Sequence, residues 1–267
     1  MKKLLFYLYI IIAILTSHCI ASAESVDDSL NGIVRVICSN SIGTSTGTGF
    51  AVGMPNEPVQ YFITNNHVIS GLKNTTPQIC LNNIEDSSSM IPAQVIHKSS
   101  HPDIAILKIS NPITSRKPLT LKAHKYVKAT QDIYTLGFPA LADKGTDSGS
   151  KLDSNIENIT VTKGIISKLC ATIEEIDYFQ IDATVNSGNS GGPLVDTDGF
   201  VIGINTLASN DISSSTNGST NFSLHLDYAI DLLEQYGVPH TVYSETSSES
   251  VTEKKDSNKN DESESGT

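Results

Sequence analysis

The sequence predicts an all-β fold of two antiparallel barrels, and three observations carry that prediction. Nearly every ordered-looking stretch between Asn31 and Thr206 is short, β-branched and bounded by Gly, Pro, Asn or Ser, the pattern of a sandwich or barrel. A polar connection from Asn111 to Tyr126 divides those stretches into two groups. Helical spacing of apolar residues shows clearly at one place only, near the C-terminal end.

The first group holds the runs 33–37, 49–52, 60–64 and 104–109, which place barrel one at about 30–112. The second holds 132–136, 160–166, 178–182 and 199–204, which place barrel two at about 128–208. Leu226, Ala229, Ile230, Leu233 and Tyr236 then recur at three- and four-residue spacing, with Gly237 and Pro239 as stop signals. They predict a helix over about 224–237 packed on barrel two. Residues 241–267 are rich in Ser, Glu, Asp, Lys and Asn and hold few bulky apolar groups. They are expected to form a disordered tail, because too little surface can be buried to offset ordering entropy. The stretches 140–158 and 209–221 read as long polar loops.

The chain starts with a different pattern. Lys2 and Lys3 precede an apolar run from Leu4 to Leu15, then Ala21-Ser22-Ala23, a small-x-small cleavage pattern. The run is shorter than the roughly 20 residues a membrane span needs, so residues 1–23 read as a secretory signal peptide cut after Ala23. A lipoprotein processed at Cys19 and an uncleaved anchor are the competing readings. The mature part, 24–240, is expected as one domain, secreted or periplasmic, without stable membrane association.

The formal charge of −11 argues against nucleic acid as a partner. Cys38, Cys80 and Cys170 remain after export, so at most one internal disulfide can form. Cys38 with Cys80 is the pair to expect if any forms, and three buried reduced thiols are the alternative.

Chemistry concentrates in Asn186-Ser187-Gly188-Asn189-Ser190-Gly191-Gly192-Pro193. Glycines around one hydroxyl allow a tight backbone to aim N–H groups at a point beside a free nucleophile. Ser190 is therefore the candidate nucleophile, with Gly188, Asn189 and Ser190 as the oxyanion-hole segment. His67 stands between a strand and a short helical turn, a frame that the other histidines lack. Asp103 begins an apolar strand, where a buried carboxylate needs a bonded partner. The ring N–H of His67 would satisfy it and leave the other nitrogen as base. The chain order His, Asp, Ser fits one of three known orders for this constellation, and the reaction it points to needs no metal or other cofactor. The competing readings are a non-catalytic peptide- or partner-binding scaffold and an esterase.

Several segments together resemble the trypsin-like serine proteases of the HtrA/Deg type. They are Gly47-Thr48-Gly49-Phe50, Thr64-Asn65-Asn66-His67-Val68, Asp103-Ile104-Ala105-Ile106-Leu107-Lys108 and Leu136-Gly137-Phe138-Pro139. The series continues with Val161 to Ser167, Gln180 to Asn186, Gly188 to Leu194 and Ile202 to Thr206. The resemblance implies a chymotrypsin-like double barrel, each barrel six-stranded, and a Ser-His-Asp endopeptidase acting on proteins or peptides. It also implies a trimer as the usual assembly, although residues 24–32 are short and polar. Two departures from the family pattern stand out: a disordered tail is expected after the domain where the family often carries PDZ domains, and a Gly/Asp/Ser-rich insertion follows Pro139. By the same resemblance Thr184, Val185 and Asn205 line the substrate groove, and Thr206, Leu207 and Ala208 pair with substrate backbone. Their lack of charge implies a small or apolar residue before the scissile bond.

Overall fold

The computed structural model describes residues 25–82, 87–139, 153–208 and 220–245. The expected signal segment, most of the loop after Pro139, the loop 209–219 and the tail from 246 onward lie outside the described residues.

Twelve strands form two closed antiparallel barrels. The first contains β1 (Ile33–Ser39), β2 (Thr44–Val52), β3 (Val59–Thr64), β4 (Gln78–Cys80), β5 (Met90–Ser100) and β6 (Asp103–Ile113), in the order β1-β2-β3-β6-β5-β4. The second contains β7 (Asp132–Gly137), β8 (Thr160–Ile173), β9 (Ile176–Ile181), β10 (Pro193–Asp196), β11 (Val201–Ala208) and β12 (Asn221–His225), in the order β10-β11-β12-β9-β8-β7. Among the described residues, three short α-helices accompany them: α1 (Val26–Ser29), α2 (Asn66–Ser70) and α3 (Asp227–Gln235). Ser25 caps α1 through a reciprocal capping box with Asp28.

Stretches such as 104–107 of β6 read as unbroken apolar runs because both faces of the strand are buried there, whereas β5 and β8 are mostly half-buried or exposed. Along β6, Ile104 and Ile106 join one hydrophobic cluster while Ala105 and Leu107 join another. The second set, with Val34, Val36, Phe62 and Ile79, fills barrel one. Ile133, Phe179, Ile181, Leu194 and Ile202 fill barrel two. The remaining cluster takes the outer faces of both barrels together with Leu119 and Leu121 of the connection and Ala229, Ile230 and Leu233 of α3. In strands such as β6, period-two alternation thus divides the side chains between a barrel interior and the cluster shared by both barrels.

Four expectations change. Barrel two does not end at 208: β12 completes it, pairing with β11 and β9. The C-terminal helix is shorter than expected and packs at the seam of both barrels rather than on barrel two alone. Tyr236 falls outside it, half-exposed, with its hydroxyl 2.8 Å from His97 Nδ1 on barrel one. The start of the expected tail is ordered, since Leu121 N–H donates to Thr241 O and Tyr243 N–H donates to Leu121 O. Finally, Cys38, Cys80 and Cys170, the cysteines among the described residues, are free thiols, and Cys170 is exposed rather than buried. Cys80 pairs in register with Arg35, three residues along β1 from Cys38. Three extended residues span about 10 Å, beyond disulfide reach.

The polar connection is anchored too. Buried Arg116 donates from Nε to Ile33 O and from Nη2 to Leu81 O. Burial lowers its guanidinium below the ordinary arginine range.

Candidate active site

β3 ends at Thr64, and one residue later α2 begins, so His67 sits in a helical turn at the rim of barrel one. Asp103 opens β6, which pairs with β3 through Thr64↔Ala105. The pairing brings the two residues together. His67 Nδ1 lies 2.5 Å from Asp103 Oδ2, and His67 backbone N–H donates to Asp103 Oδ1 at 2.9 Å. The carboxylate is 17% exposed and the imidazole 49%, so the carboxylate is held in a partly buried seat while the ring is open to solvent. Asn65 supports that seat: its Nδ2 donates to Asp103 O at 2.7 Å and to Thr206 Oγ1 at 3.2 Å.

The turn carrying Ser190 belongs to barrel two, between β9 and β10. Its N–H groups divide cleanly. Asn189 N–H donates to Asn186 O, Gly191 N–H to Asn205 O and Gly192 N–H to Asn189 O. Among the described residues, the N–H groups of Gly188 and Ser190 donate to nothing. Asn189 therefore leaves the expected oxyanion set, because its N–H is spent inside the turn. Gly188 has φ +101° and Gly191 φ +82°, a left-handed region that favours glycine. A side chain at Gly191 would also run into Asn65 N, Thr64 Oγ1 and Thr48 O.

These contacts seat the turn against the segment that carries His67. Asn65 crowds Gly191, and Gly47 lies between Val68 and the Ser190 carbonyl: a Cβ there would lie 2.6 Å from Val68 Cγ2 and 3.0 Å from Ser190 O. The Ser190 hydroxyl makes no hydrogen bond among the described residues, to His67 or to any other group. In uncomplexed sites of this kind that bond is often long and tightens when substrate binds.

Most of the other histidines have partners away from this turn: His97 with Tyr236, His101 with Glu174, His225 with Leu169 O and His240 with Val238 O. His124 repeats the two-point geometry, its N–H and Nδ1 both meeting Asp227. Its ring, however, stacks on His225 at 5.2 Å.

The expected groove residues separate. Thr184 is exposed and Val185 is buried. Asn205 does not line a groove: it is fully buried, with Nδ2 donating to Pro193 O and Oδ1 accepting from Ser223 Oγ. Thr206 turns its hydroxyl to Ile204 O and Asn65. Leu207 and Ala208 pair with Phe222 and Asn221. On the β10 side, β11 is paired as far as Asn205, through Gly191 and Gly192. Residues 206–208 therefore extend past Ser190 with no strand paired on that edge among the described residues.

The model of the trypsin-like peptidase domain matches residues 47–204, a span that holds His67, Asp103 and Ser190. The chain belongs to the trypsin-like peptidase family. Among its relatives in that family, it is 35% identical over 185 residues to a serine protease Do-like HtrA of Lactobacillus helveticus, covering 66% of this chain and 38% of that one. It is 29% identical over 196 residues to a probable periplasmic serine endoprotease, DegP-like, of Halomonas elongata, covering 72% and 35%. The chain thus spans just over a third of the length of these curated relatives. A solved HtrA-type protease with tripeptide shares the fold at a TM-score of 0.59 and 24% identity, over 81% of this chain and 64% of that one.

The trypsin-like sequence pattern pointed to His67, Asp103 and Ser190 but not to the parts played by Thr48 and Asn65. Thr48 Oγ1 donates to Gly188 O and accepts from Phe138 N–H. Both residues act through backbone groups distant in sequence. The one signal available was their place in the Gly-Thr-Gly and Thr-Asn-Asn-His segments.

Proposed function

We propose that this chain is an exported serine endopeptidase acting through an acyl-enzyme. Ser190 Oγ attacks the peptide carbonyl while His67 Nε2 takes its proton. Asp103 fixes the tautomer and stabilises the imidazolium that forms. The N–H groups of Gly188 and Ser190 receive the oxyanion. His67 then hands its proton to the leaving amine, and a water molecule repeats the sequence on the acyl-enzyme.

The observation that carries this reading is the division of N–H groups in the Ser190 turn, next to a histidine bonded at two points to a carboxylate. In the same reading, substrate adds as a strand along this edge of β11 at 206–208. Thr184 and Val185 would favour a small or apolar side chain before the scissile bond. Export rests on the Lys2–Ala23 pattern, and localisation outside the cytoplasm agrees with the relative described as periplasmic.

Ser190→Ala tests the assignment. The variant should unfold at the wild-type temperature yet lose casein cleavage by on the order of 10⁴-fold or more, together with labelling by a serine-phosphonylating probe. Wild-type protein that is neither labelled at Ser190 nor able to cleave casein would point instead to a binding scaffold.

A further inference from the structure

We propose that Thr48 is a positioning residue that holds the Ser190 turn in register with His67, an inference that rests on the endopeptidase reading. Thr48 lies on β2 of barrel one and is fully buried. Every polar atom outside its ladder role is used, and each partner leads to the site. Its N–H donates to Ser190 O at 2.9 Å. Its hydroxyl donates to Gly188 O at 2.7 Å and accepts from Phe138 N–H at 3.0 Å. Its carbonyl accepts from Thr64 Oγ1 at 2.7 Å.

The consequence follows peptide by peptide. The unit joining Gly188 to Asn189 is clamped at both ends, its carbonyl by Thr48 Oγ1 and its N–H by Asn186 O. The unit joining Ser190 to Gly191 is clamped likewise, by Thr48 N–H and Asn205 O. Between them lies the unit that offers the Ser190 N–H, and just before them the one that offers the Gly188 N–H. Two rigid units around two unspent donors fix where those donors point. The same threonine holds the last residue of β3, which runs through Asn65 into His67. Nucleophile and base come from different barrels, and Thr48 ties both to one residue.

The neighbouring glycines agree with that tightness. A Cβ on Gly137 would lie 2.8 Å from both Thr48 Oγ1 and Asn189 Oδ1, and one on Gly192 would lie 3.0 Å from Thr48 Cγ2. A valine fills nearly the space of a threonine but offers no hydroxyl, so Gly188 O and Phe138 N–H would both lose their partner.

The experiment compares wild type with Thr48→Val, Thr48→Ala and Thr48→Ser. Steady-state kinetics on a peptide substrate are read with amide hydrogen exchange over residues 186–192. The expected result is a fall in kcat of about 10- to 100-fold for the valine and alanine variants, with KM within about threefold, as for a misplaced rather than missing reacting group. Exchange at the bonded amides of Asn189, Gly191 and Gly192 should quicken in both, while Thr48→Ser keeps wild-type values. A folded Thr48→Val with kcat within twofold of wild type overturns the proposal. So does a serine variant as impaired as the valine one, or failure of both hydroxyl-free variants to fold, which would make the residue structural. If wild type itself shows no hydrolysis, the endopeptidase reading falls, and hydrogen exchange alone still reports whether Thr48 orders the turn.

Discussion

Asp103 meets His67 through two oxygens, and each bond does something different. Oδ1 takes the backbone N–H of His67 and so positions the helical turn, while Oδ2 takes the ring and so selects its tautomer. Replacing Asp103 with Asn keeps the shape and one acceptor oxygen but presents an amide N–H where a carboxylate oxygen stood. With the ring in the wrong tautomer, kcat should fall on the order of 10³- to 10⁴-fold, measured at saturating peptide, with little change in thermal midpoint. A loss below tenfold would mean that Asp103 does not set the proton position on His67. At this scale the sequence was most legible: a glycine-flanked serine and a histidine between strand and helix carry their chemistry in their immediate neighbours. Asn189 was the misreading, because which N–H points outward depends on the carbonyl of Asn186, a contact inside the turn that residue types do not specify.

Elements were legible where apolar residues mark them and lost where polar residues face inward. β12 is the clear case. Asn221, Ser223 and His225 are its buried alternate residues, and each is bonded: Asn221 Nδ2 to Ala183 O, Ser223 Oγ to Asn205 Oδ1 and His225 Nε2 to Leu169 O. Hydropathy reads such a strand inside out, so barrel two looked finished at 208. The terminal helix was legible because Ala229, Ile230 and Leu233 form one apolar face, but its end was overrun by Tyr236, whose spacing fits the helix while its ring lies against His97 at 4.8 Å. Leu233 is fully buried in the cluster shared by both barrels. Leu233→Ala should therefore cost about 2–5 kcal/mol of stability, read from the urea midpoint. A change under about 1 kcal/mol would show that α3 packs loosely at the seam.

The seam between barrels, connection and α3 is also where the whole molecule should respond to pH, because two groups there are held neutral. Burial pushes the His225 imidazole below its ordinary value of 6.5, and repulsion from His124 adds to this, against the Leu169 carbonyl and the charges of Asp177 and Asp227. Burial likewise pushes the Tyr178 phenol from 10.0 up to about 12, helped by the nearby charges of Asp103 and Glu174. For His225 the folded state disfavours the proton. Its contribution is complete above pH 6.5 and is lost as pH falls below that value toward the folded pKa. For Tyr178 the folded state favours the proton, so its contribution is complete below pH 10 and is lost as pH rises through 12. Asp28 and Asp177, both lowered by side-chain hydrogen bonds, act only at more acidic pH. Burial also raises the Cys38 and Cys80 thiols from 9.0, so urea midpoints should hold a plateau between about pH 7 and 9 and fall on either side. Tyr178→Phe should remove on the order of 2 kcal/mol of the alkaline decline, and His225→Gln should flatten the decline that begins below pH 6.5. An alkaline limb unchanged in Tyr178→Phe would place its cause elsewhere than the seam.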